Sequence, residues 1–268
     1  MLFRSINNYI IPIIFTPIII AFATAKRALT PDGIAAAIAL DLAVSVAFGN
    51  AGFVVLCSFF VGAVIVDKIK KHTKKQTKVD IYEDKDCRNY IQVIANGFVS
   101  FASAIAFIIT GEPVLIIPFV TSLAEAFSDT VASGIGAFAT TVYDPFRRRR
   151  CEGGMSGGMS VEGTLASLVG AVLISSLAYL FGFEGFGVTE LFVVAGCAFL
   201  GSIIDSALGS LAQVKFKCPV CGALTEREEH CDTPTLKHSG YLPIDNDIVN
   251  MISCASSAII ATAIVLII

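Results

Sequence analysis

The chain has 268 residues, of which 55% are hydrophobic and 15% charged, and its mean hydropathy is +0.77. A soluble domain carries about a quarter charged residues, so a water-soluble globular protein is excluded and the fold class expected is an all-α, polytopic integral membrane helical bundle. The net charge of −3 carries little weight, because membrane orientation follows local basic residues and not the total.

In chain order the hydrophobic stretches are 6–24, 33–48, 51–67, 91–110, 113–139, 161–182, 188–212 and 247–268. Each is near the roughly 20 residues that a helix needs to cross hydrocarbon, so about eight transmembrane helices are expected over a single domain, 1–268. Because only Gly49 and Asn50 separate 33–48 from 51–67, that pair reads either as two spans or as a tight re-entrant hairpin. Small-residue patterns at 21–25 resemble a signal-peptide cleavage site, but Lys26 and Arg27 follow directly and oppose translocation. The first helix is therefore read as retained.

All but one of the 19 Lys and Arg residues fall in alternate gaps. The first gap holds Lys26 and Arg27, the third Lys68 to Arg88, the fifth Arg147 to Arg150, and the seventh Lys215, Lys217, Arg227 and Lys237; Arg4 is the exception. This alternation predicts a multi-pass protein of the cell membrane with both termini outside and its long loops cytoplasmic. The lysines of 68–78, followed by Asp80, Glu83, Asp84 and Asp86, read as a topology anchor beside anionic headgroups. The basic residues follow topology and lack interleaved aromatics, so nucleic-acid binding is not expected. Homo-oligomerisation stays open.

Ionisable groups in hydrocarbon cost at least a few kcal/mol on insertion scales and mark functional sites. Asp129 lies near the inner end of the fifth stretch, with Glu125 one turn before it. Asp205 lies about 10 Å deep in the seventh, at 1.5 Å per residue. The eighth opens with Asp245-Asn246-Asp247 and adds Asn250, and the fourth opens with Arg88, Gln92 and Asn96 on one helical face. Four helices thus place polar groups in one leaflet, which predicts a water-accessible cavity on the cytoplasmic face. Asp41, mid-span, has no evident partner.

Carboxylates with Asn and hydroxyls are hard oxygen ligands suited to Mg²⁺ and substrate phosphates. Arg88, Lys26 and Arg27 supply positive charge, Arg in bidentate fashion. The run Gly153-Gly154-Met155-Ser156-Gly157-Gly158 leads into the sixth stretch, so its backbone and the helix N-terminus could cradle a phosphate. It is not a Walker motif. All three histidines, His72, His230 and His238, lie in loops, so no Ser-His-Asp or Cys-His nucleophile is expected. Of the eight cysteines, Cys57, Cys197 and Cys254 read as buried hydrophobes. Cys218-Pro219-Val220-Cys221 with His230-Cys231 resembles half a zinc ribbon within a polar insert, 213–246. Adjacent His230 and Cys231 are not expected to bind equally well, and His238 is another candidate fourth ligand.

At these residues the chain resembles the family of polytopic membrane proteins typified by plant chloroplast phytyl-phosphate kinase and animal transmembrane protein nineteen. The resemblance rests on Arg27-Ala28-Leu29-Thr30-Pro31-Asp32-Gly33, Arg88 through Gln92-Val93-Ile94-Ala95-Asn96-Gly97, and Ser128-Asp129-Thr130-Val131-Ala132-Ser133 with Gly136. It continues in Gly157-Gly158-Met159-Ser160 with Gly163-Thr164, Gly201-Ser202 with Asp205-Ser206, and Asp245-Asn246-Asp247 with Val249-Asn250. Two departures stand out: Gly134 replaces the family's Glu, for which Glu125 is placed to compensate, and the glycine loop reads Gly-Gly-Met. The resemblance implies a membrane kinase that moves a phosphoryl group from a nucleoside triphosphate, CTP being one candidate, to a prenyl monophosphate. It implies that Asp129 and Asp205 hold magnesium, assisted by Asp245, Asp247 and Asn250, with Asp129, Asp205 and Arg88 central to catalysis. It further implies that Lys26, Arg27, Thr30, Gln92, Asn96, Ser133, Gly157, Gly158, Ser206 and Asn246 contact phosphate or substrate. The competing expectations are another lipid-head-group phospho- or cytidylyltransferase, and a polytopic transporter.

Overall fold

The structure, a computed structural model, describes residues 6–77, 87–151 and 153–268, without the side chains of 6 and 71–77. Arg4, Lys78, Asp80, Glu83, Asp84, Lys85 and Asp86 lie outside the described residues, as do the side chains of Lys71, His72, Lys74 and Lys75. Helices dominate: α1 (Ile10–Ala25), α2 (Pro31–Thr77), α3 (Tyr90–Thr110), α4 (Ile116–Gly136), α5 (Val161–Leu180), α6 (Val188–Leu211) and α7 (Asn246–Ile267). Among the described residues 7 helices are long and apolar enough to cross a membrane, and the protein is an integral membrane helical bundle.

The difference from eight arises at Gly49. Its backbone is left-handed and non-helical (φ 63, ψ −146), which breaks α2 into two arms; glycine adopts this conformation without the clash of a Cβ. The arms fold back on each other, because Arg88 reaches both ends of α2. Its carbonyl accepts from the Thr30 amide at 3.0 Å, and its guanidinium meets Asp67 at 2.8 Å. The first arm is about 27 Å long at 1.5 Å per residue, close to the thickness of the hydrocarbon core. Stretches 33–48 and 51–67 are therefore two helical arms, each long enough to cross, joined by a tip at Gly49-Asn50, which agrees with about eight spans. Asn50 ties that tip to the chain start, accepting from Ile11 N at 3.1 Å and donating to Asn7 O at 2.8 Å.

Helix α4 is the central post, packing against α2, α3, α5, α6 and α7. It is buried from Ile116 almost continuously to Ser128. Lipid tails are as apolar as Leu, so helix association here depends on close contact and hydrogen bonds across small residues. Ser128 on α4 meets Ser167 on α5 at 2.7 Å, and Ser167 donates to Ser202 on α6 at 3.0 Å. Ser100 on α3 meets Ser122 on α4 at 2.7 Å. At the end of the bundle away from the basic loops, Phe48 stacks on Phe119 at 4.5 Å and lies 4.9 Å from Phe107. Phe183 sits 6.0 Å from both Phe48 and Phe119.

The surface that carries the basic loops is built from short strands. β1 (Val142–Asp144) and β2 (Arg149–Cys151) form a hairpin around the arginine run, and Tyr143 exchanges two backbone hydrogen bonds of 2.9 Å with Met159. The polar insert supplies β3 (Lys215–Lys217), β4 (Leu224–Thr225), β5 (Glu229–His230), β6 (Thr233–Pro234) and β7 (Leu236–Ser239). Strand order is β4-β3-β7, with β5 and β6 as a separate pair. The insert leaves α6 and enters α7 side by side, through Tyr241 N to Ala212 O (3.0 Å) and Val214 N to Ile244 O (2.8 Å).

Where α5 crosses α4, a Cβ on Gly170 would lie 3.2 Å from the Ser128 Cα. Gly170→Val should therefore cost about 1–3 kcal/mol by overpacking, read as a lower midpoint of thermal unfolding in detergent. Gly196→Ala, on the same kind of helix but with nothing within 4 Å, should leave the midpoint unchanged.

Candidate functional site

On the surface that carries the basic loops the bundle opens into a cavity of about 440 Å³. Ends of α1, α2, α3, α4, α5, α6 and α7 all reach it, together with the glycine loop and the insert. Asp129 and Asp205 both line it, with Asp245, Asn246, Asp247, Asn250 and Ser206. Lys26, Arg27, Lys68, Lys70 and Arg88 line it as well. Most of the acidic groups come from α4, α6 and α7, and the cations come from just after α1, from α2 and from just before α3. One wall is thus mainly acidic and another mainly basic, with Asp67 of α2 beside Arg88 and Glu226 of the insert as acidic exceptions.

The acidic wall is held by hydrogen bonds between helices. Asp205 Oδ2 accepts from Ser253 Oγ at 3.2 Å and, with the Asn250 amide oriented to match its donors, from Asn250 at 3.1 Å. Asp245 caps α7, accepting from Ile248 N at 2.9 Å, so the acidic start of α7 is fixed at the cavity rim. Glu125 lies one turn deeper on α4, buried to 1% exposure. Cys254 donates to its Oε2, while its Oε1 has no partner. Glu125, Asp129 and Asp205 lie within electrostatic reach of one another.

The basic wall is organised around Arg88. Its amide and carbonyl bond Ala28 and Thr30 at 3.0 Å each, and a Cβ on Gly33 would meet the same carbonyl at 2.6 Å. Thr30, expected to touch phosphate, is not among the lining residues; its hydroxyl donates to Arg88 O (3.3 Å) and accepts from Gly33 N (3.3 Å). Its place is explained by an exposed helix start that needs a cap. Gln92 faces the cavity but spends its carbonyl oxygen on Asn89 N (3.2 Å) in a capping box, which leaves its NH₂ free for a ligand. Asn96 donates to Gln92 O at 2.9 Å, leaving its oxygen towards the cavity.

Ser133, Gly157 and Gly158 also line the cavity. Gly157 has φ +87, and a Cβ there would meet the Ser210 backbone at 2.6 Å. The glycine loop is gripped by the insert at Ser156: its N–H donates to Glu226 (3.0 Å) and its carbonyl accepts from Lys215 Nζ (2.7 Å). Lys215 is 2% exposed; burial pushes its pKa down and Glu226 partly restores it. The helix N-terminus that follows is less available than expected, because Ser160 caps it by accepting from Gly163 N at 3.0 Å. On the loop's far side, buried Asp144 accepts from Ser210 Oγ at 2.8 Å and caps the amides of Phe146 and Arg147.

The Cys/His set stands apart in the insert. Ligand atoms of Cys218, Cys221, His230 and Cys231 all lie within 4.8 Å of one another. Cys221 and Cys231 sulfurs are 3.5 and 3.2 Å from His230 Nδ1. Adjacent His230 and Cys231 both reach the cluster because Cys231 and Asp232 take left-handed backbone conformations (φ 55 and 54), which turns the chain sharply; His238 does not join. Amide donors from Cys221 and Val220, opposed by burial and helped by His230, pull the Cys218 thiol down to about 6. Such a thiolate-rich tetrad suits zinc. Among the described residues no set of carboxylates converges as tightly. That spread suits Mg²⁺, which is bound by one or two carboxylates plus substrate phosphates and waters.

Several lining groups escaped the sequence: Asp67, Lys70, Gln213 and Glu226. Lys70 acts electrostatically on Asp129, yet in sequence it is one lysine in a run that reads as a topology anchor. Gly134, where a glutamate was expected, faces α2: Val66 Cγ1 occupies the space of a Cβ there. Asp41 has partners after all, Thr16 Oγ1 at 2.7 Å and Ser45 Oγ at 3.2 Å.

Comparison with known proteins gives three relatives and one family. The family described as integral membrane protein DUF92 matches residues 14–258. An uncharacterised membrane protein of Methanocaldococcus jannaschii is 32% identical over 60% of this chain and 65% of its own length. Protein VTE6, chloroplastic, of Arabidopsis thaliana is 28% identical over 95% of this chain and 69% of its own. An uncharacterised membrane protein of Synechocystis is 30% identical over 71% of this chain and 74% of its own. The chain thus spans roughly two thirds of these relatives' lengths. No solved structure matches the chain.

The grip on Ser156 has a measurable consequence. Lys215→Met should free residues 153–158, seen as faster cleavage of that loop by added protease in nanodiscs, with helix content by circular dichroism unchanged.

Proposed function

Given that the chain belongs to the DUF92 family of integral membrane proteins, we propose that it is a prenyl-phosphate kinase. The reading is carried by one observation: carboxylates of α4, α6 and α7 and the cations Lys26, Arg27, Lys70 and Arg88 line a single cavity beside a glycine loop. The motif resemblance to phytyl-phosphate kinase and the 28% identity to VTE6 over 95% of this chain support it.

A prenyl monophosphate places its tail in lipid and its phosphate in the headgroup layer, where the cavity opens. The acceptor oxygen is already anionic, so no general base is required. The bond between the γ-phosphorus and its bridging oxygen breaks, a new P–O bond forms to the acceptor phosphate, and the nucleoside diphosphate leaves with the electron pair. Positioning and charge neutralisation carry such a reaction. Asp129 and Asp205 would hold Mg²⁺, with Asp245, Asp247 and Asn250 assisting, and bound Mg²⁺ offsets phosphate charge. Arg88, Lys26 and Arg27 bind phosphates, Gln92, Asn96, Ser133, Ser206 and Asn246 orient them, and Gly157 and Gly158, which carry no side chain, let the loop approach them closely, the Gly158 amide itself being spent on Met155 O at 2.9 Å. The positive-inside rule, applied to the basic loops, supports a cytoplasmic orientation for this face in the cell membrane. Cys218, Cys221, His230 and Cys231 would hold structural zinc within the insert that supplies Lys215 and Glu226 to Ser156.

Purified protein in nanodiscs, given γ-labelled nucleoside triphosphates and a prenyl monophosphate, should yield labelled prenyl diphosphate. Release of pyrophosphate or CMP instead would mark a cytidylyl or phosphatidyl transferase, and tracer flux without nucleotide consumption a transporter. Asp129→Asn and Asp205→Asn should each lower magnesium-dependent turnover by about 100-fold or more in protein that elutes as the wild type does; full turnover in both rejects the metal assignment. Elemental analysis should find about one zinc per chain, as expected of a closed four-ligand site, and Cys221→Ser should lose it.

A further inference from the structure

A second, apolar cavity of about 100 Å³ lies between α1, both arms of α2 and α3. Ile20, Ala37, Ile38, Phe53, Phe60 and Val93 are among its apolar lining residues. Three residues, Arg88, Gln92 and Asn96, line this slot and the polar cavity alike. The slot therefore begins at the phosphate-facing layer and runs into the bilayer. Its far end is polar again: Asp41 lines it, held by Thr16 and Ser45. Asp41 lies ten residues beyond Pro31 on the first arm, which puts that end about 15 Å deep at 1.5 Å per residue.

We propose that this slot holds the hydrocarbon tail of the prenyl monophosphate and that its depth selects tail length; the inference rests on the kinase reading for the identity of the head group. Two features argue for this occupant. The mouth carries cations, Arg88 with Lys26 and Arg27 beside it, as an amphiphile with an anionic head requires. One side is α1, which packs chiefly on α2 and turns Ile13, Ile14 and Ile18 outward, so a single helix separates the slot from lipid. The Asp41–Thr16–Ser45 group ends the apolar path, because hydrocarbon gains nothing from displacing satisfied polar atoms.

Ala37 is a small lining residue outside the phosphate layer, and Ala37→Phe fills the slot. In nanodiscs, this variant should lower kcat/KM for geranylgeranyl monophosphate at least tenfold relative to dimethylallyl monophosphate, with the nucleotide KM unchanged. A misfolded variant would lose both substrates equally, and Ala37→Ser should keep the wild-type profile. An unaltered chain-length profile in Ala37→Phe overturns the proposal. A geranylgeranyl monophosphate carrying a terminal diazirine should label peptides around 16–20, 34–41 and 53–60 in the wild-type protein. Labelling there without turnover keeps the slot and rejects the kinase. Labelling confined to α5 and α6, or none, rejects the slot.

Discussion

An ionised carboxylate within a bilayer is tolerated only where water, a cation or a hydrogen-bond donor offsets its lost hydration. This chain brings Glu125, Asp129 and Asp205 below one membrane surface on two different helices, so the helices have to meet around a shared wet space. The central place of α4 follows. It carries two of the three acids, and every other helix except α1 packs against it. The serine contacts among α4, α5 and α6 hold those backbones near enough for Asp129 and Asp205 to share one cavity without themselves being charged.

The same constraint explains why the cavity opens one way. Beneath Asp129 on α4, Glu125 and Cys254 are buried and hydrogen-bonded to each other, and the rings of Phe48, Phe107, Phe119 and Phe183 pack together at the opposite end of the bundle. Water that solvates the carboxylates therefore reaches them from the surface of the long loops. The basic wall stands where those loops return, so orientation in the membrane and the chemistry of the site draw on the same lysines and arginines.

Much of this was legible in the chain. Hydrophobic stretches and the alternation of basic gaps marked the helices, and the polar residues Arg88, Asp129, Asp205 and Asn250 could be assigned to one layer from their depth alone. What escaped depends on neighbours distant in sequence. Whether Gly49 joined two spans or bent a hairpin turned on Arg88 touching both Thr30 and Asp67. Thr30 looked like a ligand group because a hydroxyl beside basic residues is ambiguous until its cap partner is seen. Glu226 and Lys70 sat in loops where charge is ordinary, and only tertiary placement gives them a role. The tetrad in the insert resolved the other way: adjacent His230 and Cys231 were read as alternatives, and a left-handed turn at Cys231 lets both take part.

The contacts that pin Ser156 come from Lys215 and Glu226, 59 and 70 positions further along the chain. During synthesis, α1 to α5 leave the ribosome several seconds before those partners exist, at about 5–20 residues per second. The glycine loop thus emerges before the two groups that pin it, and the cavity still lacks one wall until α7, which follows the insert, has been made.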